Sequence, residues 1–234
     1  MAAHLPLVFV HGAGRSGRGA WPEQQAAFPE AEYLTLAGFG DDAPSVPDIG
    51  DWAKQILEAS GDGDGAHVVA HSYGGLPAVA AAASGSVLSL VLFEPALYSL
   101  ARGAEHVEDH IARMSPVVAE APGLTAAEYY LRWSTAIGVP DPKAPTSDAG
   151  LRMAERLRLL PAPWDFQAPS EVFGQVPALV ITGGWNEEYE EMASALVRLG
   201  ATHRRLTGFG HRVPDHPEAN SLIRGWAEKH RLRD

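Results

Sequence analysis

Ser72 stands in Ala70-His71-Ser72-Tyr73-Gly74-Gly75, after an apolar run, His67-Val68-Val69-Ala70, and before an alanine-rich one, Leu76–Ala83. The order reads as strand, sharp turn, helix, with a hydroxyl at the turn. This is the spacing of a G-x-S-x-G elbow with Ala70 in the first glycine position. A strained strand-to-helix turn needs small neighbours, and Ala70 and Gly74 supply them. Such a turn lifts the hydroxyl clear of the main chain and aims the first N–H groups of the helix at a reacting carbonyl. The plainer alternative is a serine capping an alanine-rich helix.

A serine hydroxyl is a poor nucleophile until a base takes its proton. Of ten histidines, His211 has the right place in the chain: Gly208-Phe209-Gly210-His211-Arg212-Val213-Pro214 follows the last strand candidate and precedes the final helix. The imidazole in turn needs an acid to hold its tautomer. One position for that acid is the loop Gly183-Gly184-Trp185-Asn186, where Asn186 replaces an aspartate and Glu187 comes one residue late. The other is Glu94, directly after the apolar run Leu90-Val91-Leu92-Phe93; it is the favoured acid, with Asn186 and Glu187 as alternatives. An oxyanion hole needs two N–H donors. Tyr73 supplies one, and Ala13 or Gly14 in His11-Gly12-Ala13-Gly14 the other.

Three other patterns compete. Gly12-Ala13-Gly14-Arg15-Ser16-Gly17 matches G-x-G-x-x-G, with Asp41 and Asp42 further on, as in dinucleotide sites. His11 before the first glycine and the poor helix start Arg18–Pro22 argue against it, and it leaves Ser72 and His211 unexplained. His106 and His110 have the i, i+4 spacing of a metal pair, but without a third ligand they read as a solvated helix face. Glu187-Glu188-Tyr189-Glu190-Glu191 reads as a charged helix N-terminus.

Strands are expected at Leu5–Val10, Tyr33–Ala37, Ala66–Ala70, Ser89–Phe93, Ala178–Thr182 and His203–Leu206. Helices are expected at Ile49–Ser60, Leu76–Ala83, Glu187–Leu199 and Asn220–His230. Short apolar strands alternating with helices argue for an α/β fold, a parallel sheet covered on both faces. Between 95 and 176 the alternation stops. Helical patterns at Val107–Val118, Ala126–Ile137 and Asp148–Leu160 are separated by proline-rich joints. Gly61–Gly65 reads as a loop.

The 234 residues are 46% hydrophobic, enough for one domain with an insertion. A net charge of −11 argues against a nucleic-acid partner. No apolar run approaches the roughly 20 residues of a membrane span, and residues 1–10 lack a signal-peptide pattern. With no cysteine, there are no disulfides or thiolate metal sites, and a cytoplasmic location is the simplest reading.

Taken together, strand plus His11-Gly12, the elbow at Ser72, the Glu94 strand, the Gly183 loop and the His211 loop resemble the α/β-hydrolase superfamily over nearly the whole chain. The early first strand is similar to compact members such as the hydroxynitrile-lyase and plant-esterase branch, and an acid at Glu94 is similar to zearalenone-type lactonases. The resemblance implies a mainly parallel six-stranded sheet with helices on both faces. It implies a core of residues 1–94 and 177–234, with a helical cap at 95–176. It also implies a Ser-His-acid triad of Ser72, His211 and Glu94, and no cofactor. Epoxide hydrolases and haloalkane dehalogenases place aspartate where Ser72 stands. The expected activity is hydrolysis of a small, moderately apolar carboxylic ester or lactone. Tyr98, Tyr129, Tyr130, Trp133, Trp164 and Phe166 are the aromatic candidates for the substrate pocket, or else the cap's own core.

Overall fold

The structure, a computed structural model, describes residues 5–41, 43–61 and 65–231. Asp42, most of the Gly61–Gly65 loop and the first four residues lie outside them. Six strands form one sheet: β1 (Leu7–Val10), β2 (Glu32–Tyr33), β3 (Ala66–His71), β4 (Val87–Phe93), β5 (Ala178–Thr182) and β6 (Thr202–Arg205). Their spatial order is β2-β1-β3-β4-β5-β6, and every pairing is parallel. The chain therefore reverses direction across the sheet between β1 and β3. In open α/β sheets that switch point is where ligands bind, beyond the carboxyl ends of the strands.

The central strands β1, β3, β4 and β5 are largely apolar and buried because both faces are covered, whereas the edge strand β6 is Thr202–Arg205, polar and partly exposed. Leu90 and Leu92 of β4 join Val68, Ala70 and Val180 on one face, under α2 (Ile49–Ala59), α3 (Gly75–Ser84) and α8 (Glu187–Arg198). Val91 and Phe93 point the other way, with Phe9, Val69 and Ile181, under α1 (Pro22–Ala27) and α9 (Ala219–Lys229). Alternate residues of one strand thus serve two cores. Trp52 and Ile56 of α2 fill the first, and Trp21 and Ile223 the second.

Between β4 and β5 lie α4 (Glu105–Glu120), α5 (Ala126–Ala136), α6 (Asp148–Leu159) and the short α7 (Val172–Gln175). Thr125 caps α5 through a reciprocal capping box with Glu128. Ser147 caps α6 by accepting from the Gly150 N–H. The described residues contain no helix long and apolar enough to cross a membrane.

Most expected boundaries shift by one or two residues, as for β1, β4 and β6, and two regions change further. β2 is Glu32–Tyr33 rather than Tyr33–Ala37. Leu34 N–H still reaches the Phe9 carbonyl, but Leu36 N–H donates to the His11 ring instead of continuing the ladder. The segment after the first glycine loop, read as a poor helix start, forms a 3₁₀ turn at Gly17–Ala20 and then α1 with Pro22 at its first position. Proline suits that place, where its missing N–H would have had no partner anyway.

Candidate active site

Five loops meet at the carboxyl ends of the strands. Ser72 follows β3 with φ 53°, a left-handed conformation that a non-glycine residue adopts only under constraint. The constraint is packing. A Cβ on Gly74 would strike the His11 carbonyl and come within 2.8 Å of the Val10 carbonyl, so only glycine lets the elbow approach the end of β1. A Cβ on Gly12 would be 3.1 Å from Ser72 Cβ, which places the first glycine loop directly beside the serine.

Glu94 follows β4, also left-handed at φ 40°, and is fully buried. A buried carboxylate needs partners on its lone pairs. Oε1 accepts from Gly183 N–H at 2.8 Å and from Trp185 Nε1 at 2.9 Å; Oε2 accepts from His211 Nδ1 at 2.6 Å. Gly183 is required there, because its Cβ would lie 2.9 Å from the Gly210 carbonyl and 3.1 Å from Glu94 Oε1. The Glu94 bond puts the proton of a neutral His211 on Nδ1 and leaves Nε2 as its basic nitrogen.

Asn186 and Glu187, the alternative acid positions, do not meet the imidazole. Asn186 caps α8, its Oδ1 accepting from Glu188 N–H at 3.1 Å, and Glu187 is exposed. Carboxylate and imidazole come together only through Glu94 and His211 among these candidates.

Two more histidines hold the loops, and sequence reasoning assigned them no role. His11 is buried, with its pKa lowered by burial to about 4. Its Nε2 accepts from Leu36 N–H at 3.1 Å, so its proton is on Nδ1, donated to the Gly12 carbonyl at 2.8 Å. The neutral ring thus anchors the loop that carries Ala13 and Gly14. His71 is buried next to Ser72, and burial drives its pKa well below the usual imidazole value. Its Nε2 donates to the main-chain carbonyl of His211 at 2.8 Å. One side chain therefore links the serine turn to the histidine loop. Tyr189 stacks on the His211 ring, centroids 5.0 Å apart, and fixes its plane from the other side.

A cavity of about 380 Å³ opens over these groups, within the range of small-molecule sites. Ser72, Tyr73, Ala13, Gly14 and His211 all line it. Of the aromatic candidates, Tyr98, Tyr129, Trp133 and Trp164 line it as well. Tyr130 and Phe166 do not. Tyr130 packs against Ala121, Tyr129 and Leu157 inside the insertion, and Phe166 against the main core. The Tyr73 hydroxyl donates to the Pro161 carbonyl at 2.8 Å and joins the elbow to the insertion.

Two expectations about charge are corrected. His110 is not a solvated helix residue: it lines the cavity and its Nδ1 lies 2.8 Å from Glu188 Oε2. The acidic run after Asn186 is only partly a charged helix start, since Glu188 and Glu190 are buried. Glu190 pairs with Arg205, and Glu188 with Tyr98 and His110. His106 pairs with Glu191 rather than with His110. Among the described residues no group of three or more His, Cys, Asp or Glu is placed to hold a metal ion. The G-x-G-x-x-G segment leads into a four-residue 3₁₀ turn, not into a helix able to receive a pyrophosphate.

The fold and this arrangement of loops define an α/β hydrolase. A model of the alpha/beta hydrolase family matches residues 7–220, and the chain belongs to that family. Among solved structures it is similar to MenH from S. aureus, at 18% identity and TM-score 0.67 over 97% of this chain and 94% of that one. It is also similar to an alpha/beta hydrolase from Sphaerobacter thermophilus DSM 20745, at 24% identity and TM-score 0.64 over 94% and 91%. A thermophilic esterase from Thermogutta terrifontis matches at 23% identity and TM-score 0.63 over 98% and 91%. At these identities the likeness is one of fold. No curated protein matches the sequence.

Proposed function

We propose that this hydrolase cleaves a carboxylic ester or lactone through Ser72, His211 and Glu94. What carries the reading is the 2.6 Å contact of Glu94 Oε2 with His211 Nδ1, in the cavity that also holds the left-handed Ser72. His211 Nε2 takes the Ser72 proton as Oγ attacks the carbonyl. The Glu94 carboxylate stabilises the imidazolium that forms. The N–H groups of Tyr73 and Ala13 receive the oxyanion, with Gly14 beside them. His211 then returns the proton to the leaving alcohol. Water, deprotonated in its turn by His211, releases the acid from the acyl-enzyme. The insertion, residues 95–176, acts as a cap that supplies Tyr98, Tyr129, Trp133 and Trp164 to the substrate pocket. The sequence requires no cofactor for these steps, and the substrate is a small molecule.

The test is turnover of p-nitrophenyl acetate together with labelling by a fluorophosphonate. Labelling at Ser72, with activity lost in Ser72→Ala, supports the reading. Turnover that survives Ser72→Ala overturns it.

A further inference from the structure

The cavity has a second polar group of residues, in its roof. His110 and Arg113 sit three apart on α4, on one helix face, and both line the cavity. Further along α4, Met114 and Val118 continue the lining, so this wall is polar at one end and apolar at the other.

His110 is held as firmly as a catalytic histidine. Its Nδ1 lies 2.8 Å from Glu188 Oε2, its ring stacks on Tyr98 at 4.8 Å between centroids, and Trp164 meets it edge-on. Glu188 is buried, and its other oxygen accepts from the Tyr98 hydroxyl at 3.1 Å. Nε2 of His110 makes no hydrogen bond to protein among the described residues.

Arg113 is different. Its nearest guanidinium nitrogen is 3.9 Å from Glu188 Oε2, whereas a charge-assisted hydrogen bond closes to about 2.7–2.9 Å. Among the described residues it makes no hydrogen bond to protein. The Arg113 side chain is about half exposed, so its planar fork of donors stands at the cavity wall free to meet a ligand, beside an imidazole with one free nitrogen. A guanidinium edge matches a carboxylate, whose two oxygens can take two parallel N–H donors, and His110 Nε2 stands beside it as a further polar contact.

We propose that His110 and Arg113 form a carboxylate-binding subsite, so that the ester hydrolysed carries a second, free carboxylate remote from its scissile carbonyl. This deepens the hydrolase reading and rests on it. Glu188 is the positioning residue, turning His110 toward the ligand.

The experiment compares p-nitrophenyl monoesters of straight-chain dicarboxylic acids with methyl-terminated esters of the same length. A charge-assisted bond contributes about 1.5–3 kcal/mol, or roughly 10- to 100-fold. At one chain length the carboxylated ester should have kcat/KM at least about tenfold above its partner. Arg113→Ala should bring that ratio toward unity, and Arg113→Lys should keep part of it. A separate arm needs no chemistry: calorimetric titration of Ser72→Ala with the matching free dicarboxylate. Saturable binding should weaken about tenfold or more in Ser72→Ala/Arg113→Ala. Equal turnover of the two ester types overturns the subsite. So does a preference that survives Arg113→Ala, or one lost instead with Arg15→Ala at the first glycine loop. Acetate turnover and Ser72 labelling report on the hydrolase reading alone, so the two readings fail separately.

Discussion

Two glutamates each hold a histidine through its Nδ1 against the same cavity, and they do so by different means. Glu94 lies at the end of a central strand, and its three donors come from the β5 loop and the β6 loop. Around it, neutral His71 and His11 fix neighbouring main chain. Glu188 lies on α8 and reaches across to α4 and to Tyr98, outside the sheet. The first pair is locked by one main-chain and two side-chain donors from loops of the sheet. The second depends on where the insertion rests. A carboxylate–imidazole pair is thus a general orienting device. In the proposed reading, what separates proton transfer from recognition is the neighbour: a strained serine turn for His211, a guanidinium for His110.

Removing the first pair should have the largest effect. Ser72→Ala or His211→Ala should lower kcat for an activated ester by about 10⁴-fold or more. Glu94→Gln should cost about 10³–10⁴ with KM little moved, because the amide cannot stabilise an imidazolium. Steady-state kinetics with p-nitrophenyl acetate measure all three, and full activity in Glu94→Gln would break the contrast between the pairs.

The histidines behind the first pair give the next largest effect, on stability. The pKa of buried His11 is lowered to about 4, as is that of His67, which lies against Ser89 at the far end of β3. The unfolded chain binds protons near pH 6.5 that these rings refuse until about pH 4. Their contribution is complete above the unfolded value and lost as pH falls through the folded one. Urea unfolding at pH 7 and pH 5 should show a loss of about 2 kcal/mol per buried histidine. His67→Asn should reduce that loss without touching the cavity.

Glu188→Gln should sharpen the comparison from the other side. It should change selectivity among esters more than kcat for one ester, the reverse of Glu94→Gln. The ratio of kcat/KM values across the two substrate series measures it. The smallest effect is expected for Asn186→Ala, about 1 kcal/mol from the lost α8 cap, with the Glu94–His211 pair intact. Thermal unfolding alongside kinetics separates the two contributions.

The centre of the sheet was readable because β1, β3, β4 and β5 are largely apolar runs ended by glycine or by a sharp turn; β5, Ala178–Thr182, falls on its expected residues. The positions of Ser72, His211 and Glu94 at the carboxyl edge of the sheet were readable because each stands directly at the end of a strand or in the loop after one. β2 was misjudged because a side chain, His11, replaces the next ladder bond, and nothing local in Leu34–Ala37 announces that. The His110–Glu188 pair was hidden for a similar reason. It joins residues 78 apart in the chain, on two helices whose contact no periodicity reveals. Read singly, each looked like an ordinary charge on a helix. Tyr130 and Phe166 show the limit of composition: an aromatic between β4 and β5 can face a core, the small one for Tyr130 and the main one for Phe166, as readily as a ligand.

Trp185 joins the buried carboxylate to the outside. Its indole N–H is tied to Glu94, while the residue is 49% exposed and lines the cavity. Trp21 and Trp52, by contrast, are sealed in the cores. Iodide in solution should therefore quench Trp185 more than Trp21 or Trp52, and a molecule seated over Ser72 should shield it. An indole tied by one hydrogen bond to the carboxylate that meets His211 would then serve as an optical gauge of occupancy.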